Sequence, residues 1–479
     1  MHPQTPRSLS LIVATLLLIL LPSVAVAQDA SPSPAASPSP AASPSPDVSP
    51  SVTAADECVE PESTPVPRSE TPLSIPEDFR IALFDGVWEG IRDYYWDPDT
   101  AGLDWEAVGD EYAPLIIQTD NAYEVYDLLA EMVDLLDDPF TAFYAPEDLG
   151  DPETYDPTYG GIGALLDTSA AGEDSPGLRI LYVFDGGSAQ EAGIEARDSI
   201  IGVNGDSCAR ITEIRGPAGT DVTLTVVSPG EEPRDITLER RQIDPVMRPE
   251  ARRLAADPSI GYLRVLALSG DEAIDGIEQG LIELLRGEPL EGLILDLRAS
   301  NQGAPLVTIT TLETFVSGVV GEYRSRVGNE PIDIEPNRLA DDYAAIPLVV
   351  LVDGDTEADA EQLAAVLQDQ GRAVIVGSPT SGQTHGATTV DFPEGSVLQI
   401  VTFGFQLPDG RTLEGEGVTP DVLVEADWLG YPEAEDPYLL AALDVLAESD
   451  TAVASPVVSD PSVASPAVAS TPAPSPADG

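Results

Sequence analysis

PLVVLVDGDTEADAEQLAAVLQD, residues 347–369, decides the fold. Leu348 to Val352 is an unbroken aliphatic run of strand length, with none of the polar alternation of a strand that faces water on one side. LAAVLQD then reads as helix, and the acidic turn between the two marks where one element gives way to the other. Working outward, GLILDLR at 292–298 and AVIVG at 373–377 are further buried-strand runs, separated by amphipathic helical stretches. This interleaving, continued over residues 250–448, predicts a layered α/β domain.

Two other patterns precede it. In residues 75–150, Leu83, Val87, Ile91 and Tyr95 repeat every four positions, and Tyr123 to Leu136 continues in the same manner, so a small helical region is expected. Residues 157–243 form a separate segment that begins with the glycine-rich turn Gly160-Gly161-Ile162-Gly163. The ends differ from both. Residues 1–27 combine Arg7, an apolar stretch from Leu9 to Leu21 and the small residues Ala25-Val26-Ala27, the pattern of a secretory signal peptide. Residues 28–74, with the tract SPSPAASPSPAASPSPD, and residues 449–479 are Ser/Pro/Ala-rich and expected to be disordered, because they hold too little apolar surface to offset the entropy of ordering. A secreted or cell-envelope location follows.

Charge narrows the partners. The chain carries 84 acidic residues against 22 basic ones, a formal charge of -62. Such a field repels nucleic acid and anionic membrane surfaces; it serves solubility, or favours a cationic ligand. Every basic side chain is arginine, and no lysine occurs. Cys58 and Cys208 are the only cysteines, and export makes a disulfide chemically feasible without showing that they meet. With His2 inside the signal peptide, His385 is the sole histidine of the mature chain, which argues against a histidine-based metal site. Neither metal nor cofactor is expected.

Several motifs occur in one order: DYYWDP, LDW and DLLDDPFTAFYAPED in the helical region; GGIG, GSAQEAGIEARDSIIGVNG and IRGPAGTDVTLTV in the middle; IGYLRV, Asp296 to Arg298, DGRTLEGEGVTPDV and DPYLLAALDVL in the last part. The chain resembles the tail-specific, or C-terminal processing, serine peptidases. That resemblance implies a ClpP-crotonase-like α/β core with an inserted PDZ-like domain. It implies that Gly160, Gly161, Ile162 and Gly163 form a loop whose N–H groups bind a peptide's terminal carboxylate, beside a strand edge that accepts a peptide strand. Two departures are visible. Phe140 stands where the family loop usually carries histidine, and only Asp206 to Ile214 separate the VNG turn from IRGPAGT, where relatives place a groove-lining helix.

The resemblance places the family's nucleophilic serine at Ala358, its lysine at Gln383 and the glutamine that orients the lysine at Ala387. A methyl group cannot attack a carbonyl, and an amide nitrogen cannot take up the proton. Arginine cannot stand in for lysine, since its guanidinium remains protonated. The oxyanion-hole positions fall at Gly303 and Asp359, within an acidic series of Asp353, Asp355, Glu357, Asp359 and Glu361 that would raise the energy of a developing oxyanion. As a structural device, Thr356 and Asp359 resemble a capping box. As a calcium loop the series lacks the central glycine and the final glutamate.

The expectation is therefore a pseudopeptidase that binds peptides or protein C-termini, as a homodimer or in association with an active relative. Two alternatives stay open: a hydrolase using His385 with Ser378, Ser381, Thr384 or Thr356, and a structural envelope protein.

Overall fold

The computed structural model describes residues 74–146, 148, 159–167, 177–242 and 245–454. The expected signal peptide, Cys58 and most of the Ser/Pro/Ala segments lie outside the described residues.

The aliphatic runs become the centre of a six-stranded sheet. Ile260–Arg264, Gly292–Asp296, Leu348–Val352, Ala373–Gly377 and Val422–Leu423 run parallel, and Glu250–Arg253 adds an antiparallel edge. Both faces are covered, which is why the strands need no polar alternation. Leu348, Val350 and Val352 point toward the helices Asp271–Leu284, Pro305–Leu312 and Asp359–Asp369, while Val349 and Leu351 point toward the closing helix Pro437–Ala454. Each fully buried aliphatic side chain here contributes roughly 1.5–3 kcal/mol relative to exposure, so a charge at Leu351, which is 0% exposed, would break the sheet. The closing helix runs to Ala454, past the expected core boundary at 448.

A second sheet is built on the long strand Val397–Gln406, which pairs with Ala142–Tyr144, Gly386–Asp391 and Gly318–Ser325; the last also pairs with Gly328–Ile334. The helices Glu77–Tyr94, Trp105–Gln118 and Ala122–Asp134 bury Leu83, Val87, Ile91, Val125 and Leu129 against Leu398, Ile400 and Val401 of that strand. The N-terminal helices thus share their core with a strand more than 250 residues downstream.

The middle region folds around its own apolar cluster as a five-stranded antiparallel sheet in the order Ala164–Asp167, Leu178–Val183, Ser199–Val203, Asp221–Val227, Arg234–Glu239. Ala164–Asp167 is an edge strand. Between Val203 and Gly216 stands one helical turn, Ile211–Ile214. Cys208, in this segment, is buried and disulfide-bonded.

Candidate functional site

Ala358 sits where the strand Leu348–Val352 has turned into the helix Asp359–Asp369, with φ 52° and ψ -121°. That is a disfavoured region for an L-residue, held because its surroundings over-determine it. The Ala358 N–H donates to the Gln383 carbonyl at 2.8 Å, and the neighbouring Glu357 N–H donates to the Ser300 carbonyl at 2.9 Å. Such a sharp strand-to-helix turn presents one side chain at the edge of a parallel sheet, the device that exposes a nucleophile in many hydrolases. Here it presents a methyl group.

Gln383 is brought to the elbow through its backbone. Its N–H donates to Glu361 Oε2 at 2.8 Å, the Gly382 N–H donates to Glu361 Oε1 at 2.7 Å, and the Thr380 hydroxyl donates to the same carboxylate. Glu361 is 0% exposed, and burial pushes its carboxyl above the usual range while these three donors pull the other way. Its role is to clamp the loop 380–383 against the helix. Ala387 lies beyond, exposed on the strand Gly386–Asp391.

Gly303 and Asp359 meet directly. A Cβ built on Gly303 would lie 2.2 Å from Asp359 Cβ and 2.7 Å from its Oδ2, so only glycine leaves room for that carboxyl. Asp359 is 7% exposed and its Oδ1 accepts from the Thr308 hydroxyl at 3.2 Å. Burial raises it from 3.8 to about 6, against the pull of Thr308 and of its own backbone N–H. The carboxyl thus lies between the two positions expected to form the oxyanion hole. Glu357 is pushed up to about 7, by burial first and then by the charges of Asp355, Glu361 and Asp353. Among the described residues no cluster of His, Cys, Asp and Glu is arranged to hold a metal ion.

The capping box does not form. The helix begins after Ala358 with no side-chain cap. Thr356 Oγ1 instead bonds the Leu297 carbonyl, 59 positions away, at 2.9 Å and Asp353 Oδ1 at 3.0 Å.

His385 packs against Trp96 with ring centroids 4.8 Å apart and the rings tilted by 47°, lies against Gly404, and has Nδ1 3.7 Å from Glu414 Oε2. Two of the hydroxyls considered as its nucleophiles are committed elsewhere: Thr356 as above and Thr384 to Glu414 at 3.2 Å. Ser381 Oγ is buried with no hydrogen bond. In the middle region, the Gly161 N–H donates to the Arg241 carbonyl, Ile162 is buried with its carbonyl accepting from Ala189, and Gly163 has φ 79°.

Sequence reasoning did not single out the buried ionic network behind the elbow. Arg298, 0% exposed, grips Asp296 with Nε to Oδ1 at 2.9 Å and Nη2 to Oδ2 at 2.6 Å, and reaches Asp436 Oδ2 at 2.9 Å. Burial alone would raise Asp296, but the Arg298 charge and its hydrogen bonds outweigh it and hold the carboxyl at about 2. Trp428 lies under the guanidinium at 4.1 Å and donates Nε1 to Asp353 at 2.9 Å. Arg197, from the middle region, donates to Asp436 at 2.8 Å. The polar ends of DLR and DPYLL carried the signal for this network, but its pairing spans 138 residues.

A parallel sheet with a strand-elbow-helix at the C-terminal end of an inner strand, a clamped loop beside it and a separate antiparallel module make up the α/β scaffold of the site. Comparison with known proteins places it further. Residues 259–424 match Peptidase family S41, and residues 76–134 match the Tricorn protease C1 domain. The chain is 28% identical over 391 residues to a carboxyl-terminal-processing protease of Synechocystis sp., covering 78% of this chain and 88% of that protein. It is 28% identical over 362 residues to the chloroplastic carboxyl-terminal-processing peptidase 2 of Arabidopsis thaliana, covering 71% and 68%. Among solved structures, the photosystem II D1 C-terminal processing protease superposes with a TM-score of 0.50 at 24% identity, over 72% of this chain and 93% of that one. A putative S41 protease from Bacteroides fragilis gives 0.54 at 19%, over 76% and 97%. The chain is similar to the tail-specific, or C-terminal processing, serine peptidases over both its N-terminal helices and its α/β part.

Proposed function

We propose that this chain is a pseudopeptidase of that family, which binds extended peptides or protein C-termini outside the cytoplasm without cleaving them. The observation that carries the reading is Ala358, a methyl group at the apex of the strained elbow, in a chain without a single lysine. Covalent attack on a carbonyl needs a side-chain hydroxyl or thiol, and the family's chemistry needs a lysine amine to deprotonate it; the elbow presents a methyl group and the chain has no lysine. Gln383, held beside it, contributes an amide without useful basicity. The Asp359 carboxyl against Gly303 opposes an oxyanion there.

Peptide binding is supported by the relatives' role in carboxyl-terminal processing and by the edge strand Ala164–Asp167 following Gly160, Gly161, Ile162 and Gly163. Export is supported by the N-terminal sequence and by oxidised Cys208. No helix among the described residues is long and apolar enough to cross a membrane.

The test is to incubate the purified chain with an unfolded protein and with a serine-directed fluorophosphonate probe, while following labelled peptides by fluorescence anisotropy. Binding without cleavage or labelling is expected. Robust cleavage, or a probe adduct on any side chain, overturns the assignment and turns attention to His385.

A further inference from the structure

Beside the elbow lies a cleft of about 540 Å³ that none of the preceding chemistry uses. Its walls come from the hairpin Gly318–Ser325 and Gly328–Ile334, from Phe403 of the long strand, and from Pro305, which opens the helix after Gly303 and Ala304. Tyr323 meets Phe403 edge-on at 5.1 Å and 74°. Phe403 lies so close over Gly386 that a Cβ there would come within 2.0 Å of the ring. The cleft is tied to the elbow: the Tyr323 hydroxyl donates to Gln362 Oε1 at 3.3 Å, and Gln362 Nε2 donates to the Thr384 carbonyl at 3.1 Å, one residue beyond Gln383.

The aromatic lining carries negative charge and no matching cation. Glu330 stands directly opposite Tyr323 in the hairpin register, so both side chains project from the same face into the cleft. The Asp359 carboxylate is near enough for its charge to act on the Tyr323 phenol. Strand alternation sends Arg324 to the opposite face from Tyr323 and Ser325, and Arg326 donates to the Asp97 carbonyl at 3.1 Å, away from the cleft. Lys is absent from the whole sequence.

We infer that this cleft takes an arginine or lysine side chain of the bound polypeptide, a reading that rests on the peptide-binding function proposed above. The aliphatic stem packs on Tyr323, Phe403 and Pro305, the cationic head lies over an aromatic face, and Glu330 receives it at the rim. The volume falls within the roughly 300–1,000 Å³ of ordinary ligand sites. An acidic side chain would meet Glu330 and is excluded.

Fluorescein-labelled Ala/Ser dodecamers differing only in a central Arg, Leu or Glu test this by anisotropy on the full chain and on its Glu330→Gln variant. The Arg peptide should bind about fivefold tighter than the Leu peptide, the size of one partly desolvated cation–π and ion-pair contact, and the Glu peptide weakest. In Glu330→Gln the Arg-over-Leu ratio should fall to about twofold or less, with Leu affinity unchanged as the sign of an intact fold. Leu binding as tightly as Arg overturns the inference. So does an Arg preference that survives Glu330→Gln, which would trace it to the general negative field. Absence of binding by all three peptides would instead refute the peptide-binding reading itself, and the cleft assignment with it.

Discussion

The Asp359 carboxyl should make the protein lose stability as pH rises through the mildly acidic range, and Asp359→Asn should remove that loss. The group is 7% exposed and is lifted by burial from 3.8 to about 6. A folded-state value above the unfolded one means that the native state binds the extra proton. The contribution is fully present below pH 4 and is lost as pH rises through about 6. At 1.36 kcal/mol per pH unit, the lift is worth roughly 3 kcal/mol, an upper figure for a carboxyl that also accepts from Thr308. Asparagine has the same shape, keeps an oxygen for the Thr308 hydroxyl and cannot ionise. Urea unfolding of the parent and of Asp359→Asn at pH 4 and pH 8 measures the difference: near zero at the lower pH, and the variant more stable by about 2–3 kcal/mol at the higher. Glu357, lifted to about 7 but half-buried, bends the parent curve in the same direction and cancels between the two proteins. An Asp359→Asn variant whose advantage is the same at both pH values would refute the claim that a buried, reluctant carboxylate fills the place against Gly303.

Three more outcomes are expected. Ala358→Gly should stabilise the chain by about 1 kcal/mol, since glycine adopts φ 52°, ψ -121° without strain that exceeds its added unfolded-state entropy; a lowered melting temperature would contradict this. Arg298→Met should cost about 3–5 kcal/mol in urea unfolding, because it leaves the buried carboxylates of Asp296 and Asp436 without their shared guanidinium, and an unchanged midpoint would mean that the network is not closed. Gly303→Ala should be destabilising by about 1–3 kcal/mol through overlap with Asp359, and Asp359→Gly in the same chain should recover most of that loss; strictly additive effects in the double-mutant cycle would refute the contact.

The placement of Ala358 illustrates what is legible locally. An aliphatic run followed by LAAVLQD brackets the turn from both sides, so the residue at the elbow can be counted out from either element. Thr356 illustrates the opposite. Its spacing to Asp359 fits a helix cap, yet its hydroxyl goes to the Leu297 carbonyl, an acceptor 59 positions away that no local pattern announces. Glu414 was hidden for the same reason: it collects the Thr384 N–H, the Thr384 hydroxyl and the His385 N–H from a loop about thirty residues earlier.

What the residues alone determine is chemistry that is absent and elements that are short-ranged: no lysine amine anywhere, strands recognisable by continuous apolar runs, helices by their period. Such properties depend on identity and on neighbours along the chain. What the tertiary structure decides is which groups meet once those elements pack. Only there does the Asp359 carboxyl come to rest on Gly303, does Arg298 find Asp436, and does Glu330 line up with Tyr323 across a cleft. Hydrogen bonds and ion pairs act over a few ångströms of space and carry no mark in the sequence of the distance along the chain that they join.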